Sequence, residues 1–195
     1  EEGSFVDLYS LTLERLDALQ LYQTISTKFP EISFNIYSSE RWYVEQEDEW
    51  VKQEAAITKM DPESISMEYF LKEHLPVHKI LCMGNPDDIQ KLEDELARAN
   101  LSNISYYRSK DTYMEIVNNQ VSKLGALHFL CEKYGVALAN TLAIGDNFND
   151  MPMIIHAGKG IAMGNAPDEV KQAADCVTDT NDENGFYKAL MKIFG

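Results

Sequence analysis

The stretch Leu142–Pro152, LAIGDNFNDMP, decides how this chain is read. Leu142, Ala143 and Ile144 form a short apolar run, long enough for a buried strand. Gly145 permits a tight exit from it. Asp146 follows at once, so its carboxylate sits at the sheet edge. Asn147 and Asn149 tolerate unusual backbone angles and can bond back to it. Asp150 lies four residues after Asp146. If Asn149 opens a helix, Asp150 falls in the first turn, where negative charge is favoured. Two carboxylates and two amides converging on one point make a hard oxygen site. Such donors suit Mg²⁺, which keeps waters and pairs readily with phosphate. The plain alternative is a helix cap and a solvated turn.

Outward from this turn, short apolar strands alternate with helices. A helix over 122–134 presents Leu124, Leu127, Leu130, Cys131 and Tyr134 on one side, and Gly135 stops it. TLAIG, KGIAMG and DCVTD read as strands, with helices starting near Asn149, Pro167 and Asn184. That rhythm predicts a parallel sheet covered on both faces, with the Gly145 turn at a strand's carboxyl end. Lys123 falls in the first helical turn after Ser122, a good N-cap. A cation there opposes the helix dipole and calls for a compensating anion such as a phosphate. An ordinary surface lysine is the other reading. The glycine-rich GKGIAMGNAP, residues 158–167, matches neither GxGxxG nor a Walker loop, which excludes a dinucleotide or P-loop assignment. Asn165 reads as the cap of the helix that Pro167 enters.

The first part of the chain has a different pattern. Residues 11–29 repeat apolar groups at Leu13, Leu16, Leu19, Tyr22 and Ile25, a helical spacing that Pro30 ends. ISFNIYS and RWYVEQ read as a hairpin, with Trp42 and Val44 on one face and Tyr43 on the other. A short helix over 49–58, a strand VHKILCMG, a helix over 86–99 and the strands NISYYRS and TYMEIVN complete an α+β module. Ile89, Leu92, Leu96 and Ala99 mark the apolar face of helix 86–99. Tyr37, Trp42, Tyr43, Tyr106 and Tyr107 are expected to pack the sheet rather than bind ligand.

Composition limits the partners. Thirty-two acids against seventeen bases give a formal net charge of −15. Without a basic patch, such a surface repels nucleic acid and anionic membrane. Cys82, Cys131 and Cys176 lie far apart in apolar segments, with no CxxC and no zinc-type Cys/His cluster. No signal peptide or membrane span is evident, and buried reduced thiols suit a cytoplasmic protein.

The segments VSKLGAL, LAIGDNFNDMPMI, AGKGIAMGNAPDEVKQAAD and ENGFYKAL resemble the Cof-type branch of the haloacid dehalogenase (HAD) superfamily, the sugar-phosphate phosphatases. ISFNIYSSERWYVEQ and MEIVNN resemble the large cap of that branch. The resemblance covers essentially the whole chain. It implies an α/β fold: the C-terminal half of a HAD-like Rossmannoid parallel sheet plus a larger α+β cap. Residues 1–11 would be a remnant of the core before the cap, 12–112 the cap that sets specificity, and 113–195 the C-terminal part of the core. It further implies a Mg²⁺-dependent phosphatase acting on a small phosphorylated metabolite, with no nucleic-acid or membrane partner. Lys123 would be the phosphate-binding lysine and Asp146 a metal ligand. Asn149 would contact phosphate or hold the loop, and Asp150 would ligate metal directly or through water. Asn165 and nearby glycines would support the site.

Two departures stand out. The family places Gly after the lysine, where this chain has Leu124. No DxD occurs anywhere in the sequence, and in the family that motif supplies the Asp nucleophile and the acid/base. The expectation is a truncated portion of a phosphatase, inactive alone and prone to self-association through an open sheet edge. The alternative is a non-catalytic binding or regulatory domain with a relic metal turn.

Overall fold

The computed structural model describes residues 7–73, 75–99 and 101–195. It divides between Gln120 and Val121 into two units. That division falls later than the boundary expected after residue 112. The reason is that residues 113–118 hydrogen-bond as a strand within the first unit. Of the expected core remnant, residues 1–6 lie outside the described residues.

The first unit begins with α1 (Arg15–Lys28), which starts later than its apolar repeat suggests. Ala18, Leu21 and Ile25 are buried on it, whereas Leu16 points to solvent. The buried stripe follows the three- and four-residue spacing of those three, not the one through Leu16. β1 (Ser33–Ser38) and β2 (Arg41–Val44) form the hairpin. Ser39 sits at its turn with φ +53°. α2 (Glu49–Thr58) starts at Asp48, whose side chain accepts from Val51 N. β3 (Glu63–Ser64) and α3 (Met67–Lys72) follow, and neither was expected. Two polar residues carry no alternation, and six carry too little helical period to register. β4 (Lys79–Met83), α4 (Pro86–Ala99), β5 (Ile104–Lys110) and β6 (Tyr113–Asn118) complete the unit. Ala99, expected on the apolar face of α4, is exposed.

The strands form one sheet in the order β3-β2-β1-β4-β6-β5, antiparallel except for β2 with β3. Alternation sends Ile36, Tyr43, Ile80, Cys82, Met114 and Ile116 to one face, where they pack with side chains of α1, α3 and α4. Trp42, Val44, Leu81, Met83 and Tyr113 go to the other face, with Val51 of α2. The two-faced reading of the hairpin thus holds, and Trp42 is a core residue. Asn35 is fully buried between these strands. Its amide donates to Leu81 O, Ser33 O and Ser33 Oγ, each at 3.1 Å, and its carbonyl accepts from Trp42 Nε1 at 3.0 Å. A buried amide satisfied in this way carries no desolvation penalty.

The second unit opens with α5 (Lys123–Tyr134), capped by Ser122 Oγ accepting from Gly125 N at 2.9 Å. Gly135, at φ +64°, ends it. β7 (Leu142–Gly145), β8 (Lys159–Ala162) and β9 (Cys176–Val177) are parallel and adjacent in that order. α6 (Met151–His156), α7 (Asp168–Ala173) and α8 (Gly185–Phe194) connect and follow them. Ile154, Ala162, Ala166 and Val170 form the core. Gly160 has no room for a side chain, because a Cβ would meet Ile154 O at 2.1 Å. Of the predicted apolar face of α5, only Cys131 is buried, and Leu130 and Tyr134 are exposed. Cys82 and Cys131 are buried free thiols as expected, but Cys176 is only half-buried. No helix is long and apolar enough to cross a membrane, among the described residues.

Candidate active site

The turn after β7 is organised by Asp150. Its side chain is 3% exposed, and it turns back under the turn instead of forward onto the helix. Oδ2 accepts from Asp146 N at 2.9 Å and from Asn147 N at 3.1 Å. Oδ1 accepts from Lys123 Nζ. Charge-assisted bonds of this kind are short and stronger than neutral ones. Gly145 makes the fold-back possible, since a Cβ there would lie 2.3 Å from Asp150 Cβ.

Helix α6 accordingly starts one residue later than its first turn was placed. Asp150 is its N-cap residue and gives the helix no side-chain cap bond. Its main chain does the joining: Asp150 N donates to Asn147 O, and Ile154 N to Asp150 O. Asp150 thereby fixes the turn through its carboxylate and the helix entrance through its main chain.

Lys123, at the start of α5, is half exposed along its side chain. The anion that offsets its place against the helix dipole is the carboxylate of Asp150. Its amine is therefore anchored on one side and open on the other. The ion pair holds a donor-rich ammonium where an anionic ligand can reach it.

Asp146 is exposed. Its Oδ2 accepts from Asn165 Nδ2 at 3.0 Å, and Asn165 Oδ1 accepts from Asn181 N at 3.1 Å. Asn165 is thus a strut between two loops, not the cap of α7. The N-cap position belongs to Pro167, with no side-chain bond. The signal available for Asn165 was its place after Gly164. A Cβ on Gly164 would lie 2.8 Å from Thr180 N, so that loop and the one after β9 run close together.

The two amides inside the turn do not converge on Asp146 as expected. Asn147 Oδ1 accepts from Phe148 N at 2.8 Å, and Asn149 is exposed with its side chain free of bonds to the described residues. Among the described residues, no three His, Cys, Asp or Glu come together to hold a metal. Asp146 offers hard oxygens open to solvent and fits Mg²⁺ as one ligand of several. Asp150 has both oxygens engaged within the protein. The site thus offers one exposed carboxylate, one anchored ammonium and one free amide at the carboxyl end of a parallel strand, where α/β sheets place ligands.

The haloacid dehalogenase-like hydrolase family matches residues 3–190, and this chain belongs to it. A protein of Haemophilus influenzae, provisionally named a phosphatase, is 34% identical over 188 residues; the match covers 96% of this chain and 70% of the relative. A 5-amino-6-(5-phospho-D-ribitylamino)uracil phosphatase of Bacillus subtilis is 40% identical over 121 residues, covering 60% of this chain and 48% of the relative. The crystal structure of a haloacid dehalogenase-like hydrolase from Bacteroides thetaiotaomicron matches with a TM-score of 0.86 at 34% identity. That match covers 96% of this chain and 70% of the other.

Proposed function

We propose that this chain carries the phosphate-holding part of a Mg²⁺-dependent phosphatase acting on small phosphate monoesters. The observation that carries the reading is the Lys123–Asp150 pair beneath an exposed Asp146. Phosphoryl transfer depends mostly on positioning and on electrostatic cover for the phosphoryl oxygens. Lys123 supplies that cover as a fixed point charge. Asp150 acts as a positioning residue: it holds Lys123 and the main chain of the turn, and it is too enclosed to serve as a direct metal ligand. Asp146, steadied by Asn165, is the metal ligand. Asn149 is free to donate to a phosphoryl oxygen. When bound, Mg²⁺ would neutralise charge on the phosphoryl group. The attacking Asp of the reaction is not among this chain's residues, because the sequence has no DxD.

The names of the relatives support a small phosphorylated substrate. A relic turn would have no reason to keep a buried carboxylate bonded to a half-exposed lysine, so the non-catalytic alternative has less support. The test is thermal unfolding of the chain with Mg²⁺ and with inorganic phosphate. Each should raise the melting temperature. Asp146→Ala should erase the Mg²⁺ effect and Lys123→Ala the phosphate effect. No response to either ligand would overturn the reading. Brisk Mg²⁺-dependent hydrolysis of a generic phosphomonoester by this chain alone would overturn the missing-nucleophile assignment.

A further inference from the structure

The two ends of the six-stranded sheet are finished differently. At one end lies β3, two residues long. At the other lies β5, seven residues long, whose one neighbouring strand among the described residues is β6. A short edge strand offers little to pair with, whereas a long one presents a row of unpaired N–H and C=O groups.

The register says which residues make that row. Asn119 N donates to Asn103 O at 3.0 Å, and Ile104 pairs with Asn118 at the next position. Antiparallel ladders alternate bonded and non-bonded pairs. Ser105 and Tyr107 therefore turn their main-chain groups to β6, while Ile104, Tyr106 and Arg108 turn theirs away from the sheet. The other side of β6 agrees. Gly84 N donates to Thr112 O, which assigns Met114 and Ile116 to β4 and leaves Glu115 and Val117 to β5. The ladder shifts between Arg108 and Lys110, so the regular edge runs over 104–108.

Five residues whose first, third and fifth face outward are symmetric about the third. Laid antiparallel on a second copy of itself, this run sets Tyr106 against Tyr106, Ser105 against Tyr107 and Ile104 against Arg108. All three outward residues then form bonded pairs, with about six main-chain hydrogen bonds across the seam. The side chains suit that register. Small Ser105 lies opposite large Tyr107, and Ile104 lies along the aliphatic stem of Arg108. Like charges directly opposite each other would destabilise a strand pair. Here the two Arg108 groups fall at opposite ends of the seam, and each is already paired with Glu93 of its own chain at 2.6 Å. β5 contains no acid in a chain of net charge −15, so the pairing brings no strand carboxylates face to face. This self-complementarity is what a twofold interface between identical chains requires, and it selects a second copy over an unrelated strand.

We propose that β5 is a self-pairing edge, through which two copies of this chain join their six-stranded sheets about a twofold axis at Tyr106. Hydrogen exchange of the whole chain, read by NMR at several protein concentrations, tests it. The amides of Ile104, Tyr106 and Arg108 should exchange fast when dilute and slow at least about five-fold as concentration rises. Those of Ser105 and Tyr107 should stay protected throughout. Tyr106→Pro removes one outward N–H and no bond to β6, so it should keep the circular dichroism of the fold and lose the concentration dependence. Cysteine trapping tests the register, in a Cys176→Ser background because Cys82 and Cys131 are buried. Tyr106→Cys should form an intermolecular disulfide, since bonded partners lie about 5.5 Å apart at Cα. Ser105→Cys should form at least about ten-fold less, because its counterpart is displaced along the strand. Outward amides whose exchange ignores concentration, or equal trapping at 105 and 106, would overturn the proposal. So would a mass that rises with concentration while those three amides stay unprotected, which would place association elsewhere.

Discussion

In the six-stranded unit, both sheet faces bury large side chains: Ile36, Ile80, Met83, Met114 and Ile116 are all fully enclosed. In the three-stranded unit, Tyr134, Phe148, Phe186, Tyr187 and Phe194 are each more than half exposed. One unit is held by packing. The other concentrates its order in a hydrogen-bonded turn at the end of β7. The two should therefore fail in different ways: the first when a core side chain is cut, the second when a polar contact is cut.

The largest effect is expected at Trp42, which fills the core under α2 and bonds to Asn35. Trp42→Ala should destabilise the first unit by about 3–5 kcal/mol, read from denaturant unfolding. It should leave the amide signals of residues 142–152 unchanged. If those signals move as much as the core does, the contrast between the units is wrong. Next is Asp150→Ala, which strips acceptors from two backbone N–H groups and from Lys123. A loss of about 1–3 kcal/mol is expected, with phosphate binding lost as well. Lys123→Ala should cost little stability, because its side chain is half exposed, yet should lose phosphate binding equally. Equal stability losses for the two variants would remove the positioning role of Asp150.

A third expectation sharpens the comparison through pH. Tyr37 and Tyr107 each have a phenol pushed up to about 12 from 10.0, by burial first and then by nearby carboxylates. A group whose folded pKa is raised stabilises the fold fully below its unfolded value and loses that contribution as pH rises. The first unit should thus weaken between about pH 10 and 12, followed by tyrosinate absorbance and circular dichroism together. Loss of the first unit at lower pH, before tyrosinate forms, would show that these phenols do not set its alkaline limit. The smallest effect is association through the exposed apolar side chains of the second unit. Sedimentation should show a weight-average mass that rises with concentration, and a strict monomer would argue against it.

Much of this arrangement is legible in the sequence because periodicity and punctuation agree. The range of α4 follows from its apolar spacing, and α2 spans the 49–58 expected of it. Ser122 and Gly135 mark both ends of α5 through capping chemistry. Trp42 and Tyr43 separate by simple alternation. What was not legible depends on side chains meeting across the chain. The direction of Asp150 is one case, since an acid before a helix ordinarily faces forward as a cap. Asn165 is another, because its partners Asp146 and Asn181 are distant in sequence, and the preceding Gly164 marks only a close approach of loops without naming them. The exposure of Leu16 and Tyr134 has the same cause: apolar spacing tells which residues share a face, not whether a neighbour covers it.

The central claim is that Lys123 and a divalent cation held by Asp146 serve one phosphoryl group. Isothermal titration of inorganic phosphate into the chain, with and without Mg²⁺, tests it most directly. Linkage requires any coupling to be reciprocal. The account predicts that Mg²⁺ tightens phosphate binding several-fold, that phosphate tightens Mg²⁺ binding by the same factor, and that Asp146→Ala abolishes both gains. Phosphate and Mg²⁺ binding independently of each other, or an Asp146→Ala variant with full coupling, would contradict it.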